Sequence, residues 1–275
     1  MPTSESRTVR IRCVQLSPKI GDVPTNLTVI EQEVRRAATD QVDLLVLPEL
    51  ATCGYAMTLE EAHASALTVE DEVLRGWSEL LAGTNTTAVI GFCEQAGGVL
   101  YNSAAVIVPG AAPVAYRKLH LWDTEKLIFA PGTTDPPVLP TPAGALAVII
   151  CYDLEFPELP RSVALRGAEI VAVPTNWPMR AKPEGERPQE IIHAMAAAQA
   201  SGIIIACCDR TGDERGVCWT EGTAVVDTDG WPSDGPGPDG RLDVEAVLSP
   251  GRRQISERND LFTDRRHEFY RALTS

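Results

Sequence analysis

Four short apolar runs, residues 44–47, 145–150, 170–174 and 203–208, carry no polar alternation, so each reads as a strand buried on both faces. Helical patterns separate them. Pro24, Thr25 and Asn26 open one with Leu27, Ile30, Val34 and Ala37 on one face, and residues 70–81 carry Val73, Leu74, Trp77, Leu80 and Leu81 at helical spacing. Further helices are expected over 158–166 and 188–200, the second with small residues suited to close packing on a flat surface. Residues 88–94, 101–108 and 114–117 are instead joined by Gly97-Gly98 and Pro109-Gly110 turns, as in an antiparallel meander. With strands at 9–16, 223–226 and 242–247, the pattern predicts an α/β protein with mixed sheets.

At 275 residues and 29.7 kDa the chain can bury a large core. No linker, charge block or repeat marks a boundary, so residues 1–275 are expected to form one domain. Its core spans about 8–250, and residues 230–240 are a surface loop. In the tail, 251–275, Leu261, Phe262, Phe269 and Tyr270 need a surface to pack on, either a second subunit or the chain's own body. The net charge of −14 argues against nucleic acid or anionic membrane as partners. The start of the chain, Met1 to Arg7, has no signal-peptide core, and no apolar run has membrane-spanning length. Seven cysteines, mostly within apolar strands, suit a reducing compartment, and the cytoplasm is the expected location. Neither C-x-x-C nor a paired-histidine motif occurs, which argues against zinc.

Where the run 145–150 stops, Cys151 begins a polar turn, Tyr152-Asp153-Leu154-Glu155-Phe156-Pro157-Glu158. A thiol at a strand end is held rigidly, and the next turn offers unpaired N–H groups to an oxyanion. Pro48-Glu49-Leu50 follows 44–47, and Lys118 lies beyond another short apolar stretch. The three are read as converging at one edge of one sheet. A free thiol is mostly protonated at neutral pH and needs a base. A carboxylate buried at a strand end has a raised pKa and suits that role, so Glu49 is the candidate base. Lys118 and the Tyr152 N–H are candidate oxyanion donors. Taken singly, each has a plainer reading: Cys151 as core, Glu49 as a solvated turn, Lys118 as surface.

Pro48-Glu49-Leu50 with Cys53-Gly54-Tyr55, then Arg117-Lys118-x-His120-Leu121-Trp122 with Glu125 and Pro131-Gly132, then Cys151-Tyr152-Asp153-x-x-Phe156-Pro157-Glu158 resemble three signature blocks of the nitrilase (carbon–nitrogen hydrolase) superfamily. Gly21-Asp22-x-x-x-Asn26, Pro174-Thr175-Asn176-Trp177 and Asp264-Arg265-Arg266 are similar too. The resemblance implies a four-layer α-β-β-α sandwich that commonly dimerises, with no metal or organic cofactor. It implies Glu49 as general base, Cys151 as nucleophile forming a thioester, Lys118 and the Tyr152 N–H as oxyanion stabilisers, and Glu125 as an additional glutamate orienting the substrate nitrogen or the hydrolytic water.

Branches of this superfamily cleave nitriles, amides and N-carbamoyl compounds. Asp153, Leu154 and Glu155 follow Cys151 where carbamoylases place basic residues, so an anionic substrate is disfavoured. Glu155 resembles the branch acting on aliphatic and amino-substituted amides. The expected substrate is a small primary amide, with Glu155 either facing a substrate amine or bound to a structural arginine such as Arg161 or Arg210. Tyr55, Trp122, Asn176 and Trp177 are expected to line the pocket, with plain packing the alternative for the two tryptophans. A nitrilase or N-carbamoyl amidohydrolase is the alternative within the same chemistry, and an idle scaffold the alternative outside it. The stretch 209–216 lacks the phosphate-loop pattern, and no G-x-G-x-x-G follows the first strand.

Overall fold

The computed structural model describes residues 6–249 and 253–273. The segment Met1 to Glu5, most of the stretch read above as lacking a signal peptide, lies outside them, as do residues 250–252, where core and tail meet. Two mixed sheets carry the chain. In the larger, β1 (Arg7–Val14), β2 (Leu44–Val46) and β3 (Thr87–Ala96) run parallel, β4 (Val99–Ile107) and β5 (Val114–Arg117) continue as the expected meander, and β13 (Arg241–Leu248) closes the other edge against β1. The second is built alike. β7 (Gly144–Val148), β8 (Ile170–Pro174) and β9 (Ile204–Cys208) are parallel, flanked by antiparallel β6 (Val138–Thr141) and β12 (Ala224–Val226). A two-residue hairpin, β10 (Asp213–Glu214) and β11 (Val217–Cys218), sits apart.

Alternation along each strand explains the layers. Ile11, Cys13, Leu44, Val46 and Val89 face Val148, Val171, Val173 and Ile205 between the sheets. Their neighbours Leu45, Leu47, Ala88 and Ile90 face outward to meet Ile30 and Val34 of α1 (Val23–Thr39) and Leu74 and Trp77 of α3 (Glu72–Leu81). On the far side α4 (Glu158–Leu165) and α5 (Gln189–Ser201) cover the second sheet, with the small residues Ala194 and Ala198 of α5 buried. The layers are therefore α-β-β-α. A short helix, α2 (Leu59–Ser65), escapes the apolar pattern because a capping box between Thr58 and Glu61 sets its start. In the tail, Phe262 packs on the chain's own body between Arg161 and Arg253, while Phe269 stays exposed.

Candidate active site

Glu49 follows β2 and Lys118 follows β5 in the larger sheet, but Cys151 follows β7 in the smaller one. The expectation of one edge of one sheet is therefore corrected. The residues meet across the interface between the sheets, because each parallel core ends at the same side of the sandwich.

Glu49 is fixed first by its backbone. Leu50 takes a positive φ of 51°, and Gly91 of β3 lies beneath the turn, donating its N–H to Pro48 O at 3.2 Å. A Cβ on Gly91 would stand 2.4 Å from Pro48 O and 2.6 Å from Glu49 Cα, so the position needs glycine. Lys118 extends β5 by donating its N–H to Asn102 O at 2.9 Å. The preceding Arg117 points the other way and is held by Glu94 at 2.6 Å, which accounts for the Arg-Lys pair having one outer and one inner member.

The side chains then form one buried cluster. Lys118 Nζ lies 2.7 Å from Glu49 Oε1 and 2.7 Å from Glu125 Oε1. Asn102 Nδ2 also donates to Glu49 Oε1 at 2.7 Å, and Tyr55 Oη donates to Glu125 Oε1 at 2.6 Å. Glu49 Oε2 has no hydrogen-bond partner. Burial pushes Glu49 up to about 7, against the pull of Lys118. Lys118 is desolvated too, yet two carboxylates hold its pKa above the ordinary lysine value, so it stays an ammonium.

Cys151 has φ 47° and opens the turn Cys151–Glu155, a strained conformation for a residue with a Cβ. Asp153 holds this turn. It accepts Ile150 N–H at 3.0 Å, Tyr116 Oη–H at 2.7 Å and His120 N–H at 3.0 Å. Burial and the negative charge of Glu49 raise the thiol well above its ordinary pKa, and Lys118 and the Asn176 N–H oppose that. The resting nucleophile is thus a thiol beside a carboxyl group with one free oxygen. Such an arrangement suits general-base activation rather than a preformed ion pair. The Tyr152 N–H belongs to the first turn of a 3-10 helix, where backbone donors lack internal partners.

Of the expected pocket residues, Tyr55 bonds Glu125, and half-buried Trp122 meets the Tyr152 ring at 4.8 Å with Arg180 over its face. Asn176 is fully buried, and its Nδ2 donates to Glu49 O at 2.8 Å. Trp177 is 3% exposed, as in the packing alternative. Glu155 lies away from the cluster, in a groove with Leu154, Arg161, His193 and Tyr270 on the outer face of α4 and α5. Arg210, one of its expected partners, pairs with Glu214 at 2.8 Å instead. Asp153 turns inward to Tyr116 and His120, whereas Glu155, at the end of the same turn, lines the outer groove. Asn102, Asp153 and Gly91 escaped the sequence reading as functional residues. An asparagine inside an apolar strand is the signal that could have found the first. Among the described residues no group of three or more His, Cys, Asp or Glu is arranged to hold a metal ion.

Fold and site together define an α/β sandwich hydrolase with a cysteine and two glutamates around one lysine. The chain belongs to the carbon–nitrogen hydrolase family, whose model matches residues 10–240. It is 32% identical to a nitrilase of Pyrococcus abyssi over 95% of this chain and 99% of that one. It is 32% identical to an (R)-stereoselective amidase of a Pseudomonas species over 80% and 77%. A solved amidase of Nesterenkonia sp. AN1, carrying the Michael adduct of acrylamide at its active-site cysteine, superposes with a TM-score of 0.77 at 28% identity, covering 96% of this chain and 99% of that one. The same amidase has been solved as a cysteine-to-alanine mutant with butyramide (TM-score 0.76, 27% identity, 96% of each chain). This protein is accordingly a hydrolase of carbon–nitrogen bonds of the nitrilase superfamily.

Proposed function

We propose that the chain hydrolyses small primary amides to a carboxylic acid and ammonia through a thioester on Cys151. The observation that carries this reading is the division of labour at Glu49: Oε1 is occupied by Lys118 and Asn102, and Oε2 is free to take a proton. Glu49 accepts the thiol proton as sulfur attacks the carbonyl carbon. Lys118 and the Tyr152 N–H stabilise the oxyanion. Glu49 returns the proton to nitrogen as the C–N bond breaks and ammonia leaves. Water then attacks the thioester, its proton passing to Glu49 and on to the departing sulfur. Glu125, fixed by Lys118, Tyr55 and the Trp122 N–H at 3.2 Å, orients the amide nitrogen and then the water.

Butyramide in the Nesterenkonia amidase supports a short aliphatic acyl group. The match to the Pyrococcus enzyme favours nitrile hydrolysis as the second reading. Ammonia release from matched amides, amino-amides, N-carbamoyl compounds and nitriles, with Cys151→Ala as control, decides between them. Release from amides that disappears in the mutant establishes the reading; release from nitriles alone replaces it.

We also infer one domain over residues 1–275, a reducing, cytoplasmic setting, supported by seven unpaired thiols, and a homodimer. The support for the dimer is the groove of about 630 Å³ between α4, α5 and the tail. Glu155, Glu158, Arg161 and Arg265 line it, charges of both signs that a two-fold axis can set against one another. Light scattering of the purified chain, with Ala197→Arg as the disrupting variant, tests it.

A further inference from the structure

Asp209 is a fully buried carboxylate that the mechanism above does not employ. It stands directly after β9. Its Oδ1 accepts Trp177 N–H at 3.0 Å and Arg210 N–H at 2.9 Å, and its Oδ2 accepts Gly222 N–H at 2.9 Å. Its own N–H donates to Thr223 Oγ1 at 2.9 Å. One carboxylate therefore joins the ends of β8 and β9 to the approach to β12. Among the described residues it has no cationic side-chain partner, since the Arg210 guanidinium is taken by Glu214 and stacks on Trp219. Burying a carboxylate on backbone donors alone is costly, and burial pushes it up to about 7.

Through the Trp177 N–H, Asp209 holds the chain one residue past Asn176. The Asn176 N–H points to the Cys151 sulfur, and the Asn176 side chain donates to the Glu49 carbonyl at 2.8 Å. Asn176 thus touches both the nucleophile, carried by the smaller sheet, and the base, carried by the larger. Its backbone is pinned one residue on, by the bond from Trp177 to Asp209. The Trp177 ring closes the unit against Gly222, where a Cβ would stand 3.1 Å from it.

We propose that Asp209 is a positioning residue: by clamping Trp177 and Gly222 it fixes Asn176, and through Asn176 it sets Cys151 against Glu49. The proposal rests on the amidase reading of the same site. A displacement of the reacting atoms by about 1 Å costs up to about 100-fold in rate, which sets the scale expected.

The test compares wild type with Asp209→Asn and Asp209→Ala in two assays: kcat and KM for butyramide, and alkylation of Cys151 by acrylamide followed by peptide mass. Exposed Cys218 serves as the internal standard. Asp209→Asn keeps an acceptor for Trp177 but turns an amide N–H onto Gly222 N–H. It is expected to slow both kcat and Cys151 alkylation by about 10-fold, and Asp209→Ala by about 100-fold, with KM within about 2-fold and Cys218 unchanged. Wild-type alkylation and kcat in both variants, or a loss confined to KM, would overturn the proposal. If neither variant folds, Thr223→Val loosens Asp209 from its backbone side. Slower Cys151 alkylation in that variant supports the clamp, and an unchanged rate refutes it. Should the wild type release no ammonia from any amide, the amidase reading falls, while the ratio of Cys151 to Cys218 alkylation still decides the role of Asp209.

Discussion

Lys118 meets Glu49 through a single carboxylate oxygen, Oε1, at 2.7 Å, and leaves Oε2 without a partner. A bidentate pair would have consumed both oxygens and left no base. Asn102 binds the same oxygen as Lys118, so the two donors share one side of the carboxylate and keep the other side open.

The pH dependence of the reaction should follow from this. Glu49 works as a base only when ionised, and its pKa is pushed up to about 7. Its ionised fraction falls as pH falls through that value, so kcat/KM is expected to drop about tenfold per unit below pH 7. Cys151 stays protonated at rest and adds no limb in this range. Glu49→Gln should abolish the limb and lower kcat/KM by about 100-fold or more. A pH profile of kcat/KM from 5 to 9 checks both expectations.

Asn102→Leu tests the second donor. The Asn102 hydrogen bond lowers the Glu49 pKa, so its loss should move the acid limb to higher pH. A buried charge that loses a hydrogen bond is destabilised by about 1.5–3 kcal/mol, which corresponds to a limb displaced by one to two pH units. An unmoved limb in the same pH profile would show that Asn102 only fills space.

The layers and the signature blocks were legible because buried strands and amphipathic helices write their periods into the chain. Runs such as 145–150 marked strands, and the polar turns after them marked Glu49 and Cys151. What stayed hidden depends on which strands face each other. Nothing local to Glu49 or Cys151 shows that they sit on different sheets, nor that Asn176 spends its side chain on the Glu49 backbone. Glu155 misled for a related reason: adjacency to Cys151 in sequence says nothing of direction once the chain turns, and here the turn carries it to the outer groove.

Gly91→Ala should damage the base without touching a side chain of the site. The added Cβ would meet Pro48 O at 2.4 Å and Leu50 N at 2.5 Å, both backbone atoms of a turn that cannot yield cheaply. Overpacking of this kind costs about 1–3 kcal/mol. The expected result is a lower denaturant midpoint with unchanged m-value, together with a loss of kcat larger than that of an outward glycine such as Gly76, whose Cβ would meet nothing.

Glu49→Gln also carries a prediction about stability, with a sign opposite to that of ordinary acid unfolding. The folded pKa of Glu49, about 7, lies above its ordinary value of 4.5. Between these values the native state keeps a proton that the unfolded chain releases, so the unfolded state binds fewer protons and stability falls as pH rises. The contribution is fully present below about pH 4.5 and is lost by about pH 7. Glutamine never ionises and removes this dependence. The stability of Glu49→Gln relative to wild type should therefore rise by about 3 kcal/mol between pH 4 and pH 8. Denaturant unfolding of both proteins at several pH values measures the difference, which cancels the exposed carboxylates common to both. A constant difference would mean that Lys118 keeps Glu49 ionised throughout, and that the free oxygen is already a carboxylate when the substrate arrives.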